Sequence, residues 1–314
     1  MTIDYTLQKH LLGIYNTQQE GPLIIAIGGI HGNEHAGIWA IRNVLSQLNY
    51  LQPKFRGIFI GIAGNLAALQ QQKRYIDHDL NRQWYPEKVH YIHGSSIGSL
   101  SNSEDLQQKE LLRLFNTCKV LFKPQYQNKQ IILIDLHTFS APGKAYSIAT
   151  KMGSSNRWAS DLQAPVILGM EDVIQGTTMH HFNNLDMTSF CFEAGQHTDP
   201  ASIATMESAL WVTLHNIGCL AQPSIQQFKD HYDRLVYQRK ERPKMVQFMH
   251  RHAVNLGDNF VMQPGYRNFQ LVKKGELLAH DKNGPIESLY NGMILMPLYQ
   301  QQGEDGFFLV EAIA

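Results

Sequence analysis

Residues 22–37 have the sequence PLIIAIGGIHGNEHAG, and this stretch indicates the fold. Its first part, residues 22–30, is a short continuous apolar run, which is typical of a strand covered on both faces. The polar HGNE segment follows, and then apolar residues recur at helical spacing, at Ile38, Ile41, Val44, Leu45 and Leu48. A buried strand that turns directly into a helix is the repeating unit of an α/β sheet.

The same alternation of strands and helices continues along the chain. Further apolar runs predict strands at residues 57–63, 130–136 and 188–192. One helix is predicted over residues 101–118, where Ser101 and Glu104 have capping-box spacing, and another over residues 199–218. We therefore predict an α/β fold in which a mostly parallel twisted sheet carries helices on both faces.

The character of the sequence changes at Pro223. Residues 225–236 have the pattern of an amphipathic helix, and after Pro243 short apolar segments alternate with turn signals such as Asn283-Gly284. That spacing predicts a small C-terminal all-β, barrel-like domain. We accordingly assign residues 1–222 to the domain that carries the chemistry and residues 223–314 to a β-rich domain.

One polar segment interrupts the alternation at residues 85–102. It contains His90, His93 and several serines and glycines, and it is long for a simple connection. We predict that it forms a surface insertion or a lid.

The charge balance limits the partners of the chain. Lys+Arg and Asp+Glu both number 27, so the formal net charge of the 314 residues is zero. Such a chain has no global basic field for nucleic acid or for an anionic membrane surface. The longest uncharged stretch, residues 208–228, contains His215, Asn216 and Pro223, and we predict two helices with a break there rather than a membrane span. A homo-oligomer is compatible with the sequence.

The first residues and the cysteines indicate a compartment. The start, MTIDYTLQKHLLGIYN, lacks a basic end followed by an apolar core. Cys118, Cys191 and Cys219 are widely spaced and form no CxxC pattern, so each is expected to be a small buried side chain. We expect a cytoplasmic protein, because the cytoplasm keeps thiols reduced.

Three side chains near predicted strand ends are candidate metal ligands. His31 and Glu34 lie in the HGNE turn, and His137 follows the strand of residues 130–136. Two His and one Glu with an open fourth position are typical of a catalytic zinc site. Many HxxE patterns are accidental, and a single His137 is more often a hydrogen-bonded core residue. The matched positions of the three at the sheet edge favour one zinc ion per chain.

Two further segments place polar side chains at the same edge. Residues 73–82, KRYIDHDLNR, include Arg74, and the adjacent Asn81 and Arg82 could bind a carboxylate. Taken alone, this segment is more often a solvated loop with local ion pairs. Glu193 ends the apolar strand FCFEAG, and a carboxylate beside a metal can act as a general base. Taken alone, Glu193 could be a half-exposed residue at a strand end.

These four segments, in this order, resemble the succinylglutamate desuccinylase/aspartoacylase family of the zinc carboxypeptidase-like superfamily. The matching segments are HGNEHAG, RYIDHDLNR, DLHT and FEAG, within residues 23–195. The β-rich C-terminal part also looks like the second domain of that family. The resemblance implies that residues 1–222 are a zinc-dependent catalytic domain. It further implies that the protein hydrolyses the amide bond of a small-molecule N-acyl amino acid.

The resemblance also implies a role for each matching residue. Glu193 would be the general base and later the general acid, and Arg74 would stabilise the tetrahedral oxyanion. Asn81 and Arg82 would bind a carboxylate of the substrate. The ligands of the Zn²⁺ ion would be His31, Glu34 and His137.

Two positions depart from the aspartoacylase pattern. That branch has an arginine shortly before the catalytic glutamate, which helps to bind the second carboxylate of the substrate, but residues 173–192 contain no Arg or Lys. Ile313 stands where that branch has a tyrosine after a Glu-Ala pair. The remaining candidates for such a contact are Lys144, Arg157, His180 and His181. We therefore expect N-acyl amino acids with a neutral or apolar side chain to be better substrates than N-acetylaspartate.

Two other functions are compatible with the sequence. A metallocarboxypeptidase could use the same zinc site on short peptides, although a C-terminal domain that narrows the cleft would disfavour it. A non-enzymatic binding or carrier protein is the second alternative, because residues 271–298 faintly resemble a lipoyl or biotinyl module with Lys282 at a hairpin tip. An ordinary turn lysine is the simpler interpretation of Lys282.

Overall fold

A computed structural model of the chain describes residues 8–126, 129–151, 153–185, 187–220 and 225–313. The strands within these ranges are β1 Leu11–Asn16, β2 Leu23–Gly28, β3 Ile58–Ala63, β4 Ile131–Phe139, β5 Tyr146–Ala149, β6 Val166–Leu168, β7 Thr188–Gln196, β8 Met245–Ala253, β9 Val261–Met262, β10 Gln270–Val272, β11 Leu277–Asp281, β12 Gly284–Glu287, β13 Gly292–Leu295 and β14 Asp305–Ala312. The helices are α1 Ala36–Leu51, α2 Leu66–Gln71, α3 Pro86–Gly94, α4 Ser103–Tyr126, α5 Ser154–Ser160, α6 Thr178–Asn183, α7 Ala201–Asn216 and α8 Ile225–Arg239.

The strands form a large mixed sheet and a small one. The order in the 11-stranded sheet is β1-β3-β2-β4-β7-β5-β6-β8-β14-β13-β10, and the three-stranded sheet has the order β12-β11-β9. Strands β3, β2, β4 and β7 are parallel neighbours, whereas β5 pairs with β7 in the antiparallel direction. The mixed α/β fold with a large central sheet is therefore as predicted.

Helices cover both faces of this sheet, as the apolar runs of the strands require. On one face, Ile24 of β2 belongs to a buried cluster that includes Ile41 of α1 and Leu210 of α7. On the other face, Ile25 of β2 belongs to a second cluster that includes Phe115 of α4. Successive residues of β2 thus point into opposite cores, and the strand must be apolar along its whole length.

The C-terminal strands extend the large sheet. Strand β8 pairs in parallel with β6, with Met245 opposite Val166, and β14, β13 and β10 follow β8 in order. Strands β9, β11 and β12 form the separate small sheet. A distinct barrel-like domain at the C-terminus therefore stays a prediction. The proposed boundary at residues 222 and 223 lies outside the described residues.

The polar segment at residues 85–102 is partly helical and packs against α4. Its first part is α3, and Ile92 and Leu100 are buried in the cluster that contains Phe115 of α4. Lys109 Nζ of α4 donates hydrogen bonds to the carbonyl oxygens of Ile92, His93 and Ser95 at 2.8, 2.7 and 2.6 Å. The prediction of a lid is not supported, because this segment packs against α4 and none of its residues lines the cleft described below.

The start of α4 differs from the prediction. The helix begins at Ser103, and Asn102 Oδ1 accepts a hydrogen bond from the Asp105 backbone N at 2.7 Å, so Asn102 replaces Ser101 as the capping side chain. Glu104, the predicted partner of Ser101, is fully buried and instead contacts the loop of residues 73–82.

The uncharged stretch of residues 208–228 spans the end of α7 and the start of α8, with a break between them as predicted. Across the part of the chain that the structure describes, no helix has both the length and the apolar character that a membrane span requires. The three cysteines are free thiols and all are buried, as expected.

Candidate active site

The predicted site residues all line one cleft, at the edge of the sheet where β2, β4 and β7 end. These residues are His31, Glu34, Arg74, Asn81, Arg82, His137 and Glu193. The cleft encloses about 910 Å³ of empty space when its open mouth is included, and polar site residues line it together with apolar side chains such as Ile148 and Met170. Parallel strands with their carboxyl ends at one edge bring these distant segments together.

His31, Glu34 and His137 form a compact buried group. His31 Nδ1 lies 2.9 Å from Glu34 Oε1, and His137 Nδ1 lies 3.1 Å from Glu34 Oε2. Each residue offers one ligand atom, and these atoms all lie within 4.8 Å of one another. The three side chains could therefore hold one metal ion between them, because imidazole nitrogens and a carboxylate are a normal donor set for zinc.

A second carboxylate contacts the far nitrogen of each imidazole. His31 Nε2 lies 3.0 Å from Asp79 Oδ1, and His137 Nε2 lies 3.1 Å from Asp135 Oδ2. A hydrogen on each Nε2 would satisfy these carboxylates, because a carboxylate only accepts. In that tautomer Nδ1 turns its lone pair toward Glu34, and a cation could be held between the two groups. This arrangement of an acid behind each histidine is typical of metal-binding imidazoles.

The electrostatics of the group also favour positive charge at its centre. Burial alone would raise the pKa of Glu34, but His31 and His137 hold that pKa well below its usual range. Burial alone would lower the pKa of His137, but Asp135 and Glu34 raise it well above its usual range. Glu34 is thus a buried anion that requires cationic neighbours, which protons on the imidazoles or a metal can supply.

The HGNE turn is held by close backbone packing. A Cβ atom on Gly32 would lie 2.1 Å from the Ala68 carbonyl carbon, so only glycine fits beside α2 at this point. The Gly32 backbone N also donates to the Arg74 carbonyl oxygen at 3.1 Å. These contacts fix the turn that carries His31 and Glu34 against the loop that carries Arg74.

Glu104 organises the loop of residues 73–82. Its carboxylate accepts hydrogen bonds from the backbone N of Ile76 at 2.8 Å and of Asp77 at 3.0 Å. The Arg74 side chain forms a two-point contact with Asp79 Oδ2, from Nε at 3.0 Å and from Nη2 at 2.8 Å. Arg74 Nη1 also lies 3.8 Å from Glu34 Oε1, which places this guanidinium at the edge of the candidate metal group.

Asn81 and Arg82 are held by segments far away in the sequence. Asn81 Oδ1 accepts a hydrogen bond from the Thr178 backbone N at 2.9 Å, and the Thr178 hydroxyl also contacts Asp135 Oδ2. Arg82 Nη2 donates to Asp305 Oδ2 at 2.6 Å and Nη1 donates to the Asn81 carbonyl oxygen at 2.9 Å. Arg82 Nε is buried and has no hydrogen-bond partner among the described residues.

Glu193 is a buried carboxylate on the strand beside His137. The two residues are direct neighbours in the register of β4 and β7, and Glu193 is 6% exposed. Burial raises the pKa of Glu193 to about 8, although His137 opposes the shift. Glu193 Oε2 has no hydrogen-bond partner within the described ranges, so a carboxylate oxygen remains free to exchange a proton with a ligand in the cleft.

Several residues that contact the site were not predicted. Asp79 and Asp135 stand inside the matching segments RYIDHDLNR and DLHT, and their position next to site residues was the available signal. His197 lines the cleft and lies 2.7 Å from Thr138 Oγ1, and Asp305 pairs with Arg82. His197 lies two positions after the matching segment FEAG, so the same signal was available for it, whereas Asp305 has no local sequence signal because it reaches the site only through the folded sheet.

The candidate cations for a second substrate carboxylate lie elsewhere. Lys144 Nζ stacks on the Tyr237 ring at 3.9 Å, and Arg157 stacks on Trp158. Neither these residues nor His180 and His181 belong to the lining of the cleft. The structure therefore does not bring any of these four residues to the site.

Lys282 is an exposed turn residue. It lies between β11 and β12, and its Nζ forms an ion pair with Asp258 Oδ1 at 2.9 Å. The Lys282 ammonium is paired with Asp258, and Lys282 is not among the residues that line the cleft. The described structure therefore gives no link between this residue and the candidate site.

Comparison with known proteins gives a consistent result. The profile of the succinylglutamate desuccinylase/aspartoacylase catalytic domain matches residues 20–215, which is more than half of the chain. A probable aspartoacylase from Prochlorococcus marinus (strain MIT 9215) is 25% identical over 289 residues, covering 88% of this chain and 87% of the relative.

Two solved structures share the fold. A succinylglutamate desuccinylase from Vibrio parahaemolyticus superposes with a TM-score of 0.63 at 18% identity, covering 96% of this chain and 86% of that one. Murine aminoacylase 3 superposes with a TM-score of 0.59 at 17% identity, covering 94% of this chain and 96% of that one. At these identities the likeness concerns the fold alone.

Proposed function

The chain belongs to the succinylglutamate desuccinylase/aspartoacylase family of deacylases, and we propose that it is a zinc-dependent amidohydrolase. In this proposal the enzyme cleaves the amide bond of a small N-acyl amino acid and releases a carboxylic acid and a free amino acid. One observation carries the proposal. The buried group of His31, Glu34 and His137 stands in the same cleft as Glu193, whose Oε2 has no hydrogen-bond partner among the described residues.

His31, Glu34 and His137 fit a zinc ion by the chemistry of their donor atoms. Both imidazoles turn Nδ1 toward Glu34, and the carboxylates of Asp79 and Asp135 hold the opposite nitrogens. When bound, zinc supplies Lewis-acid chemistry, since it polarises a carbonyl oxygen and lowers the pKa of water. A stoichiometry of one zinc per chain follows from the single group of this kind among the described residues.

Glu193 would move the proton in the reaction. In this role its carboxylate accepts a proton from the attacking water and then donates it to the leaving amide nitrogen. Its buried position beside His137 supports the assignment, because a carboxylate with a raised pKa both accepts and donates protons near neutral pH.

Arg74 would contact the amide carbonyl that is attacked, and Asn81 and Arg82 would contact the carboxylate of the substrate. Arg74 stands next to Glu34 and could stabilise the negative oxygen that forms during attack. The Arg82 guanidinium, with Nε unpartnered within the described part of the chain, could bind the substrate carboxylate together with the Asn81 side chain.

The shape of the cleft favours this function over a metallocarboxypeptidase. Residues of the C-terminal part, including Met296, Leu298 and Gln300, line the cleft together with the catalytic candidates. These C-terminal residues occupy one side of the cleft and so reduce the space for an extended peptide, which supports a small N-acyl amino acid as the substrate. The second alternative is a non-enzymatic binding or carrier protein. Such a protein does not need a proton-accepting carboxylate, so the unpartnered Glu193 oxygen beside His31, Glu34 and His137 supports an enzyme.

A released-amine assay of the zinc-loaded protein tests the proposal. We expect hydrolysis of N-acetyl, N-succinyl or N-formyl amino acids and little hydrolysis of dipeptides with a free amino terminus. Faster release from dipeptides would favour the carboxypeptidase. No release from any of these compounds, with zinc bound and the fold intact, would favour a binding protein.

A further inference from the structure

One side of the cleft is apolar, and we call it the apolar wall. It consists of Ile148, Met170, Ile174, Met179 and Met296, which all line the cleft. The same residues belong to one apolar cluster, in which Ile148, Met170 and Met179 are buried and Ile174 and Met296 pack against it. A ligand-facing surface with this composition stabilises an apolar group by removing it from water.

The apolar wall adjoins Asn81 and Arg82. The Thr178 backbone N donates to Asn81 Oδ1 at 2.9 Å, which anchors the segment that carries Ile174 and Met179. Gly176 lies between them, and a Cβ atom on it would be 2.6 Å from the Arg82 carbonyl oxygen. Ile174 and Met179 are therefore close neighbours of the residues proposed to bind the substrate carboxylate.

The charges around the wall oppose a second substrate carboxylate. Among the described residues that line the cleft, the arginines are Arg74 and Arg82, and the proposed function already assigns them to the oxyanion and to the α-carboxylate. An acidic residue, Glu171, lines the cleft beside Met170, and its carboxylate is held by the backbone N of Lys151 at 2.8 Å. A carboxylate placed against the wall would thus meet apolar atoms and a like charge.

We propose that the apolar wall receives the side chain of the amino acid, so that the preferred substrates are N-acyl derivatives of apolar amino acids such as leucine or methionine. This inference rests on the proposed function. The α-carboxylate of the substrate is bonded to the same carbon as the side chain. With the carboxylate on Asn81 and Arg82 and the amide carbonyl at the candidate metal group, the side chain is the remaining substituent of that carbon and can reach Ile174 and Met179.

The size of the preference follows from the cost of burying an unpaired charge. A carboxylate without a cationic partner loses its hydration on entering the cleft, whereas a leucine or methionine side chain gains by leaving water. We expect kcat/KM for N-acetylleucine to exceed kcat/KM for N-acetylaspartate by at least about tenfold, since even one methylene is worth roughly tenfold or more in a fitting pocket.

The first test is a substrate panel on the zinc-loaded wild-type protein. It compares N-acetylleucine, N-acetylmethionine, N-acetylaspartate and N-hexanoylglycine, the last of which places the apolar chain on the acyl side. We expect the highest kcat/KM values for N-acetylleucine and N-acetylmethionine. A ratio of N-acetylleucine to N-acetylaspartate below about tenfold overturns the inference. A higher kcat/KM for N-hexanoylglycine than for N-acetylleucine also overturns the inference, because the apolar wall would then receive the acyl group.

Variants that supply the absent cation sharpen this test. Ile174→Arg and Met296→Arg each place a guanidinium on the wall at positions that are only partly buried, and each should lower the leucine-to-aspartate ratio by about tenfold or more. Leu271→Arg is the matched control, because Leu271 is 77% exposed on β10 and lies outside the cleft lining. An equal change of the ratio in the control would contradict the assignment.

A binding measurement separates this inference from the proposed function. Calorimetry on Glu193→Gln, with and without zinc, compares N-acetylleucine with N-acetylaspartate in the absence of turnover. If the wild-type protein hydrolyses none of these compounds, and N-acetylleucine still binds more tightly than N-acetylaspartate, the proposed hydrolysis fails and only the assignment of the apolar wall as the side-chain subsite stands. If hydrolysis occurs with tighter binding and faster turnover of N-acetylaspartate, the function stands and the inference fails. If neither compound binds and neither is hydrolysed, the proposed function and the inference are both rejected.

Discussion

Arg82 and Asp305 form an ion pair across the cleft, with Nη2 of the arginine 2.6 Å from Oδ2 of the aspartate, although they are 223 positions apart in the sequence. Asp305 Oδ1 also accepts a hydrogen bond from Arg251 Nε at 2.5 Å. Burial alone would raise the pKa of Asp305, but Arg82 and Arg251 hold that pKa below its usual range. A charged Asp305 on β14 therefore holds the Arg82 side chain in place.

Arg74 and Arg82 should differ in their kinetic effects. Arg74→Ala should lower kcat about 100-fold or more, because an oxyanion contact acts mainly in the transition state. Arg82→Ala should mainly raise KM, and Arg82→Lys should not restore it, because the planar fork is lost. Asp305→Asn should raise KM by a smaller factor. Steady-state kinetics with one N-acyl amino acid decide between the roles, and an effect on KM alone in both alanine variants would show that Arg74 is misassigned.

The acids behind the histidines should control zinc affinity. Asp79→Asn and Asp135→Asn should each weaken zinc binding by about 10- to 100-fold, because each removes the acceptor that orients an imidazole. Competition with a chelator of known affinity measures the change. Asp172→Asn is a suitable control, since this half-exposed carboxylate pairs with Lys151 at the surface. Unchanged zinc affinity in both site variants would mean that the histidines do not bind zinc through Nδ1.

Glu193→Gln should separate catalysis from metal binding. The amide keeps the size of the side chain but cannot accept a proton, so kcat should fall by about 100- to 10,000-fold while zinc content stays at the wild-type level. Elemental analysis and kinetics on the same preparation give both quantities. A loss of less than about tenfold would assign the proton transfer to another group.

Substrate selectivity should not depend on pH near neutrality. Burial lowers the pKa of His181 to about 4, and His180 adds to the shift. The imidazole is therefore neutral above that pH and becomes a cation only below it, so it offers no charge to an acidic substrate at pH 6. The ratio of kcat/KM for N-acetylaspartate to that for N-acetylleucine should stay constant between pH 8 and pH 6 to within about twofold. The ratio cancels effects of pH on the shared metal group, and a steep rise toward pH 6 would show that a histidine binds the second carboxylate.

The central strands could be predicted because their signal is local. Strands β2, β3, β4 and β7 are apolar on both faces, and each lies within or overlaps a predicted apolar run. Strand β7 continues past the prediction to Gln196, since polar residues there still pair with β4. The pairing of β8 with β6 has no local sequence signal, because the two strands lie far apart in the sequence.

The candidate site also has a part that could be predicted from the sequence and a part that could not. His31, Glu34 and His137 follow apolar strands, so the topology of a parallel sheet brings them together once the strands are recognised. Asp305 lies on β14, and the apolar wall combines Ile148 of β5 with Met296 and with residues of the 170–179 segment, whose places against the cleft are set by tertiary packing. Sequence patterns predict the candidate reactive groups of this protein, whereas the surface that we propose to select the substrate requires the folded chain.

The most direct test of the account is a zinc titration of the metal-free protein, followed by amine release from N-acetylleucine. We expect no release without metal, a linear rise with added zinc and a break at one zinc per chain. His31→Ala with His137→Ala should abolish the rise, and Leu271→Arg should leave it unchanged. Full activity in the metal-free protein, or no activity at any zinc loading with any N-acyl amino acid, would contradict the assignment of this chain as a zinc-dependent deacylase.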